Sequence, residues 1–503
     1  MALDLLLVDP YILDVDRTGR KHLELYPALG PMYLTAWLRK RGHGVEIFDC
    51  TFRHDPQQVE EALMDELKAK KPRFVGIHTK VITVETTERL IRAISSAGFP
   101  VIVGGPDATI RPERYLAAGA TVIVLGEGEE TLLELMGSSW GDKAALRKIL
   151  GIAWFDDASK LRRTPERPLM EDLDEIPFPA WDAVDMGAYA KEWKRVMGFS
   201  SACIIASRGC PFNCSWCCKP VFGRTFRQRS VENVLKELEE VSRRYGVEHV
   251  RFADDILPMN AKWLRDLCIA LEESPLDVRF DCLSRVDTIK DDLLARIKAA
   301  GGEKVYLGVE SGSQKILDLM VKGTRVEGID ASSKEARRVG LRQHWFLMMG
   351  YPGEEAEDIQ MTVEAVRTLR PDEYSCTIAY PLKGTPFYEA VKDKLLAVDW
   401  TSSNNNRLVW KSPYSEKFYQ FQLGRMYLTW LLSHPRLGPA ARIFSPLHKL
   451  LDWTAKAVDP RVENPAYPIS KEAQRQTMNR MTPTIESVAA TNQALVLLSP
   501  AGK

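Results

Sequence analysis

Twice along this chain, short apolar runs alternate with longer stretches of helical period, a pattern that points to parallel α/β sheets. In the first series, Leu3–Val8, Val45–Asp49, Phe74–Ile77, Val101–Val103 and Val122–Leu125 are predicted strands, with helices starting near Pro31, Pro56, Val84, Arg111 and Glu129. Five strands and five helices predict a doubly wound domain. The second series predicts strands near Ala202–Ala206, His249–Phe252, Val278–Cys282, Lys304–Leu307, Gln343–Met348 and Glu373–Ile378. Helices are expected at Val231–Arg244, Ala261–Glu272, Lys290–Ala299, Val326–Val339 and Glu355–Leu369. Six strands joined in this way predict a partial barrel that works at the carboxyl ends of its strands.

At 503 residues the chain exceeds one hydrophobic core. The predicted divisions are a domain over 1–140, a connection over 141–195, the barrel over 196–395 and a helical C-terminal region over 396–503. The connection carries Pro168, Pro177 and Pro179, an acidic cluster over 171–175, and the apolar patch Phe178-Pro179-Ala180-Trp181, which is expected to pack on a neighbouring domain. In the tail, Phe418–Leu432 and Ile443–Val458, with Trp430, Trp453, Arg436 and Lys449, read as helices packed in a core rather than on a membrane. Beyond Pro468 the composition turns polar and disorder is expected.

Lys plus Arg (68) balance Asp plus Glu (68), so there is no basic surplus of the kind phosphate backbones attract, and no nucleic-acid partner is expected. No stretch approaches the roughly 18 apolar residues of a membrane span, and the first residues read as a strand rather than a leader. A cytoplasmic setting is expected, in which the nine cysteines stay reduced.

Three of those cysteines share the loop after the barrel's first strand, in Ser207-Arg208-Gly209-Cys210-Pro211-Phe212-Asn213-Cys214-Ser215-Trp216-Cys217. Cys-x3-Cys-x2-Cys brings three thiolates close enough for three corners of a [4Fe–4S] cubane, leaving one iron without a protein ligand. A zinc site would need a fourth Cys or His at its usual spacing, and none follows. Cys218 is awkwardly adjacent, and Cys203, Cys268, Cys282 and Cys376 read as ordinary core thiols.

Glycine-rich loops end the fourth and fifth predicted strands: Gly104-Gly105-Pro106-Asp107-Ala108-Thr109 and Gly126-Glu127-Gly128-Glu129-Glu130-Thr131. Glycine lets backbone approach a ligand closely, and ligands in open α/β sheets lie across the strands' carboxyl ends. Gly104, Gly105, Asp107, Thr109, Gly126, Glu127 and Gly128 are therefore candidate cofactor contacts, with Thr79 and, more weakly, Tyr11 and Lys80 beside them.

With the cysteine loop at the head of a β/α repeat, residues from about Ser200 to Tyr388 resemble the radical S-adenosylmethionine (SAM) superfamily. The resemblance implies that Cys210, Cys214 and Cys217 are the catalytic cluster ligands and that SAM chelates the fourth iron. It further implies that Asp254 and Asp255, in Phe252-Ala253-Asp254-Asp255, meet SAM's amino nitrogen, and that Glu310, in Gly308-Val309-Glu310-Ser311-Gly312-Ser313, meets its ribose. Arg285 is a candidate for the SAM carboxylate, and Gly350-Tyr351-Pro352-Gly353-Glu354 for a turn near the adenine.

The N-terminal half, with its two glycine loops, resembles the cobalamin-binding domain of class B radical SAM enzymes. The implied fold is α/β: a flavodoxin-like (Rossmann-type) cobalamin-binding domain, then a partial (β/α)6 TIM-like radical SAM barrel and a helical C-terminal region. The Asp-x-His-x-x-Gly signature of methionine-synthase-like domains is absent, and Asp9-Pro10-Tyr11-Ile12 stands in its place. That departure matches the class B pattern, in which cobalt has no histidine ligand, and His43, His54 and His78 are assigned none.

The resemblance implies methylation of an unactivated carbon: one SAM supplies methyl to cobalamin, and a second yields a 5′-deoxyadenosyl radical that abstracts substrate hydrogen. An electron donor such as flavodoxin or ferredoxin, and a small-molecule or lipid-like substrate, are the expected partners. Two alternatives keep the same domains. One is oxidative cyclisation, as in the anaerobic magnesium-protoporphyrin ester cyclases; the other is a cobalamin sensor, which would not need an intact cysteine loop.

Overall fold

The computed structural model describes residues 3–16, 25–138, 143–290, 292–396 and 408–433. The expected helix Ile443–Val458 and the polar end of the chain lie outside them.

The first sheet comprises β1 (Leu5–Asp9), β2 (Val45–Asp49), β3 (Phe74–His78), β4 (Val101–Gly104), β5 (Val122–Val124), β6 (Ile152–Phe155) and β7 (Leu161–Arg163), in the order β2-β1-β3-β4-β5-β6-β7. The first five strands run parallel. Alternation along each strand sorts the core into two layers. Leu6, Val8, Val75, Ile77, Val101 and Val103 pack under helices Pro56–Lys70 and Val84–Ser96, while Leu5, Leu7, Phe74, Ile102 and Val124 pack with Tyr33, Trp37 and Leu132 of helices Leu29–Arg39 and Glu129–Gly137. Local chemistry sets the helix starts: Asp55 Oδ1 accepts from Gln57 N at 2.8 Å and Gln58 N at 3.0 Å, ahead of Pro56 in the first turn.

Where a helix near Arg111 was expected, two short ones form, Pro106–Ile110 and Pro112–Ala117, because each proline starts its own first turn. The larger correction concerns the connection. Ile152–Phe155 and Leu161–Arg163 form an antiparallel hairpin that extends the first sheet past residue 140. Its turn is drawn tight by Asp156 Oδ1, which accepts from Ala158 N at 3.0 Å and Lys160 N at 2.9 Å, and Ser159 sits at φ 55°. The last strand, Leu161-Arg162-Arg163, is too short and too charged to register as an apolar run, so the hairpin is not legible in the sequence.

The second sheet has the order β15-β14-β13-β12-β11-β8, all parallel, from β8 (Ser201–Ile204), β11 (His249–Phe252), β12 (Arg279–Arg285), β13 (Gly302–Glu310), β14 (Arg342–Met349) and β15 (Glu373–Ile378). This is the open six-stranded barrel. Ile204, Phe252, Cys282, Leu307 and Leu347 face the surrounding helices, and the alternate residues face the lumen. A separate ribbon pairs β9 (Ser207–Arg208) with β10 (Arg227–Gln228).

Two segments lock onto this frame. Helix Glu416–Ser433 buries Phe418, Tyr419 and Met426 in the barrel's outer core beside helix Ala356–Leu369, and Trp430 Nε1 donates to Pro371 O at 2.8 Å. This agrees with core packing. Among the described residues no helix is long and apolar enough to cross a membrane. In the connection, Trp181 is buried in the same core with Met32 of the first domain, and Ala180 N donates to Met32 O at 3.1 Å. The patch thus joins the domains, as expected.

Trp181→Ala should open a cavity across that junction and cost about 3–5 kcal/mol. The expected result is a lowered urea midpoint at a nearly unchanged slope; an unchanged midpoint would contradict the packing role.

Candidate functional site

The loop after β8 is cinched at its neck by the β9–β10 ribbon, where Arg208 pairs with Arg227 and Ser207 with Gln228. Gly209 begins it at φ 86°, and a side chain there would run into the Thr225 and Phe222 carbonyls. The loop is anchored along its length. Lys219 Nζ donates to the Cys210 carbonyl at 2.7 Å and to the Phe212 carbonyl. Ser215 N and Oγ both donate to Met320 O, at 3.0 and 2.9 Å, and the hydroxyl lies 2.6 Å from Tyr351 Oη. Tyr351 follows β14, so the loop is tied across the barrel mouth.

Cys210 and Cys214 are buried and Cys217 is half-buried. Burial pushes the Cys217 thiol up to about 12, opposed by Lys219 and reinforced by Cys214, Asp255 and Cys210. A thiol held protonated in this way suits a cationic centre, which would stabilise it as a thiolate. Among the described residues no three His, Cys, Asp or Glu side chains gather as ligands to one metal ion, whereas a cubane places each thiolate on its own iron. Cys218 turns away, with Sγ 3.7 Å from Lys383 O.

Of the residues expected around SAM, Asp255 is exposed in the barrel mouth and accepts no hydrogen bond among the described residues. The protein packed around it raises its pKa, and Lys219 opposes the shift. Asp254 is engaged elsewhere. It is buried, accepts from Ala206 N at 3.1 Å and from the Ser207 hydroxyl, and so braces the neck of the cysteine loop. Burial pushes its pKa up to about 6 against those hydrogen bonds.

Arg285, expected at the SAM carboxylate, is likewise committed. Nε and Nη2 donate to Asp287 at 2.8 and 2.7 Å, Nη2 also reaches Lys322 O at 2.5 Å, Nη1 lies 3.5 Å from Cys214 Sγ, and the guanidinium stacks 3.7 Å over Phe212. It supports the cluster loop from below. Glu310 ends β13 at φ 64°, beside a register shift, and takes an ion pair from buried Lys322 at 2.9 Å. Lys322, which sequence reasoning missed, also lies 5.3 Å over Trp216. Nothing near it in the sequence marks it as part of the site.

In the first domain a cavity of about 260 Å³ opens at the carboxyl ends of the strands, against the barrel. Gly104, Gly105, Gly126, Glu127 and Gly128 line it, with Leu7, Gly76, His78, Tyr33 and, from the barrel side, Ile205, Arg208 and Phe222. Its floor is mostly backbone and apolar side chain, and a side chain on Gly105 would strike Thr79 O at 2.6 Å. This smooth floor fits the broad apolar face of a corrin ring. The other predicted contacts lie behind it. Thr79 is buried against Tyr115 Oη at 3.0 Å, Asp107 pairs with Arg111 Nη2 at 2.5 Å and accepts from Tyr115, and Thr109 Oγ1 accepts from Gly126 N at 3.3 Å. These polar groups stiffen the two loops rather than line the cavity. Lys80 sits 5.4 Å over the Tyr11 ring, and neither lines it.

The wall between the domains carries a buried ion cluster. Arg208 Nη1 and Nη2 donate to Glu127 at 2.9 Å and Glu129 at 2.7 Å, and Arg227 Nη1 donates to Glu127 at 3.0 Å. Burial works against the Glu127 charge, but Arg227 and Arg208 hold the carboxyl below its ordinary value. Both arginines come from the ribbon that closes the cysteine loop, and both glutamates from the second glycine loop.

With this geometry in hand, residues 20–136 match the B12 binding domain family and residues 204–366 the Radical SAM superfamily. An uncharacterized methyltransferase of Pyrococcus horikoshii, PH0819, is 32% identical over 387 residues, covering 74% of this chain and 81% of that protein. An anaerobic magnesium-protoporphyrin IX monomethyl ester cyclase of Rubrivivax gelatinosus is 26% identical over 394 residues, covering 75% and 69%. The solved structure of the cobalamin-dependent S-adenosylmethionine radical enzyme OxsB superposes with a TM-score of 0.69 at 16% identity, over 99% of this chain and 82% of that one.

Removing the Arg208 charge strands the buried Glu129 carboxylate and leaves Glu127 to Arg227 alone, so Arg208→Gln should cost about 3–5 kcal/mol. Hydrogen exchange should rise together at residues 126–129 and 207–210; a rise on one side only would show that the clamp does not couple the domains.

Proposed function

The chain belongs to the class B radical SAM enzymes, and we propose that within them it is a methyltransferase acting on an unactivated carbon of a polar small molecule. Its cofactors are a [4Fe–4S] cluster, SAM and cobalamin. When bound, the cluster supplies the electron that cleaves SAM to a carbon radical and cobalamin carries the methyl group.

The observation that carries the reading is the shared wall. Arg208 lines the cavity of the B12 binding domain and stands two residues before Cys210, so the two cofactor sites face each other across one buried ion cluster. Methyl transfer to a carbon radical needs that proximity. In this reading Cys210, Cys214 and Cys217 hold the cluster, and Arg285 and Lys219 place positive charge and hydrogen bonds along their loop. Asp255 offers its free carboxylate to SAM's amino group, while Glu310, fixed by Lys322, stands at the next strand end but one for the ribose. Asp254 orients the loop without touching SAM.

The lumen supports a polar substrate over a lipid-like one. Arg251 stacks 4.2 Å over Tyr306, Tyr306 stacks on Phe346 at 5.7 Å, and Lys304 and His344 each reach Glu373 at 3.1 Å. The hydrogen bond from His344 and the Lys304 charge, working against burial, hold the Glu373 carboxyl down at about 2. A hydrocarbon chain would strip water from these charged groups and offer them no polar contact in return. The 32% identity to the methyltransferase PH0819, against 26% to the cyclase, favours methylation over cyclisation.

Anaerobic assay of reconstituted enzyme should give 5′-deoxyadenosine, S-adenosylhomocysteine and a product heavier by one methylene. Cys214→Ala should abolish 5′-deoxyadenosine and leave cobalamin binding intact. A product that loses hydrogen or gains oxygen, without S-adenosylhomocysteine, would replace this reading with cyclase-type chemistry.

A further inference from the structure

Of the side chains packed around the cysteine loop, one donates a hydrogen bond to a thiol. Arg285, the last residue of β12, is 3% exposed, and its Nη1 donates to Cys214 Sγ at 3.5 Å. Among the described residues no other side chain donates to Cys210, Cys214 or Cys217; the Lys219 ammonium spends its hydrogen bonds on backbone carbonyls.

The guanidinium has little freedom to leave that contact. Asp287 holds Nε and Nη2 in a fork at 2.8 and 2.7 Å, Nη2 is shared with Lys322 O at 2.5 Å, and Cζ lies 3.7 Å over the ring of Phe212, itself part of the cysteine loop. The segment that supplies the acceptors is fixed as well. Val321 stands at φ 51°, a costly conformation for a β-branched residue, and the carbonyls on either side of it face the site: Met320 O accepts from Ser215 and Lys322 O from Arg285. A lysine in place of Arg285 would carry the charge without the fork.

Reduction by one electron from a low-potential donor adds one negative charge to a cubane and its thiolates, and makes or breaks no bond. An N–H donor and a positive charge beside one of those sulfurs stabilise the reduced form more than the oxidised one, and burial strengthens the effect. Asp287 opposes it, since its partly exposed carboxylate is bonded to the other edge of the same guanidinium. The pair therefore makes two opposed contributions, each removable by one substitution.

We propose that Arg285 tunes the reduction potential of the cluster held by Cys210, Cys214 and Cys217, raising it through the Cys214 sulfur, and that Asp287 limits the rise. Arg285 thereby acts in electron uptake rather than at the SAM carboxylate. The inference rests on the assignment of the three cysteines to the cluster.

The test is a potentiometric titration of full-length protein with reconstituted cluster, reduced stepwise with dithionite and followed by the electron paramagnetic resonance signal of the reduced cubane. Arg285→Gln should lower the midpoint potential and Asp287→Asn should raise it, each at wild-type iron and sulfide content. Loosened packing alone would not move the two variants in opposite directions. Where Arg285→Gln fails to retain a cluster, Arg285→Lys takes its place and should give a smaller fall. A variant that keeps the wild-type potential, or a pair that shifts the same way, would overturn the inference and leave the cluster assignment standing. Wild-type protein that yields no cubane signal would overturn that assignment as well, so the two failures are distinguishable.

Discussion

Arg208 is the contact on which the rest of the site depends. A guanidinium and two carboxylates have been taken out of water at the seam between two sheets, at a desolvation cost that their attraction offsets only when the geometry is right. Stability is therefore a poor explanation for the cluster, and placement is a good one. Arg208 belongs to the neck of the cysteine loop, and Glu127 and Glu129 to the glycine loop opposite. One residue thus fixes the loop, a wall of the cavity and the distance between them. The second arginine, Arg227, also donates to the Met170 carbonyl, which draws the connecting segment into the same seam.

Around the cysteines the chain spends polar groups on rigidity. Asp254 holds the backbone of Ala206 and Ser207, Ser215 holds Met320 and Tyr351, and Arg285 is bound on almost every edge. A loop gathering three thiols inside a barrel mouth has no regular secondary structure to pair its backbone, so Lys219 takes up the Cys210 and Phe212 carbonyls while these side chains tie the loop and its flanks to the barrel. Asp255, one residue from Asp254, is left free for chemistry. Neighbouring carboxylates thereby acquire different roles through burial alone.

Much of this was legible in the sequence, and the rest was hidden for identifiable reasons. The parallel strands announce themselves because both faces are buried, which yields continuous apolar runs such as Leu5–Val8 and Val101–Val103. The cysteine spacing is local and needs no fold to be read. The glycine loops marked the cavity, but not which of their polar residues face it: Asp107 and Thr79 differ from Glu127 only through contacts with Tyr115, and that distinction is tertiary. Arg208 with Glu127 and Lys322 with Glu310 join segments that no short motif connects. The β6–β7 hairpin was missed because Arg162 and Arg163 give its last strand a charged, exposed pattern.

That hairpin has a consequence for dissecting the chain. In the order β2-β1-β3-β4-β5-β6-β7 it shields β5, a wholly buried strand, and presents β7 to solvent in its stead. The ion pairs of Arg162 with Asp156 at 2.6 Å and Arg163 with Glu113 at 3.3 Å cover that margin with charge. A fragment ending near residue 140, where the composition suggests a boundary, would bare the hydrogen-bonding edge of Val122–Val124 to other copies of itself. The unit that can be excised without inviting edge-to-edge aggregation runs at least through Arg163.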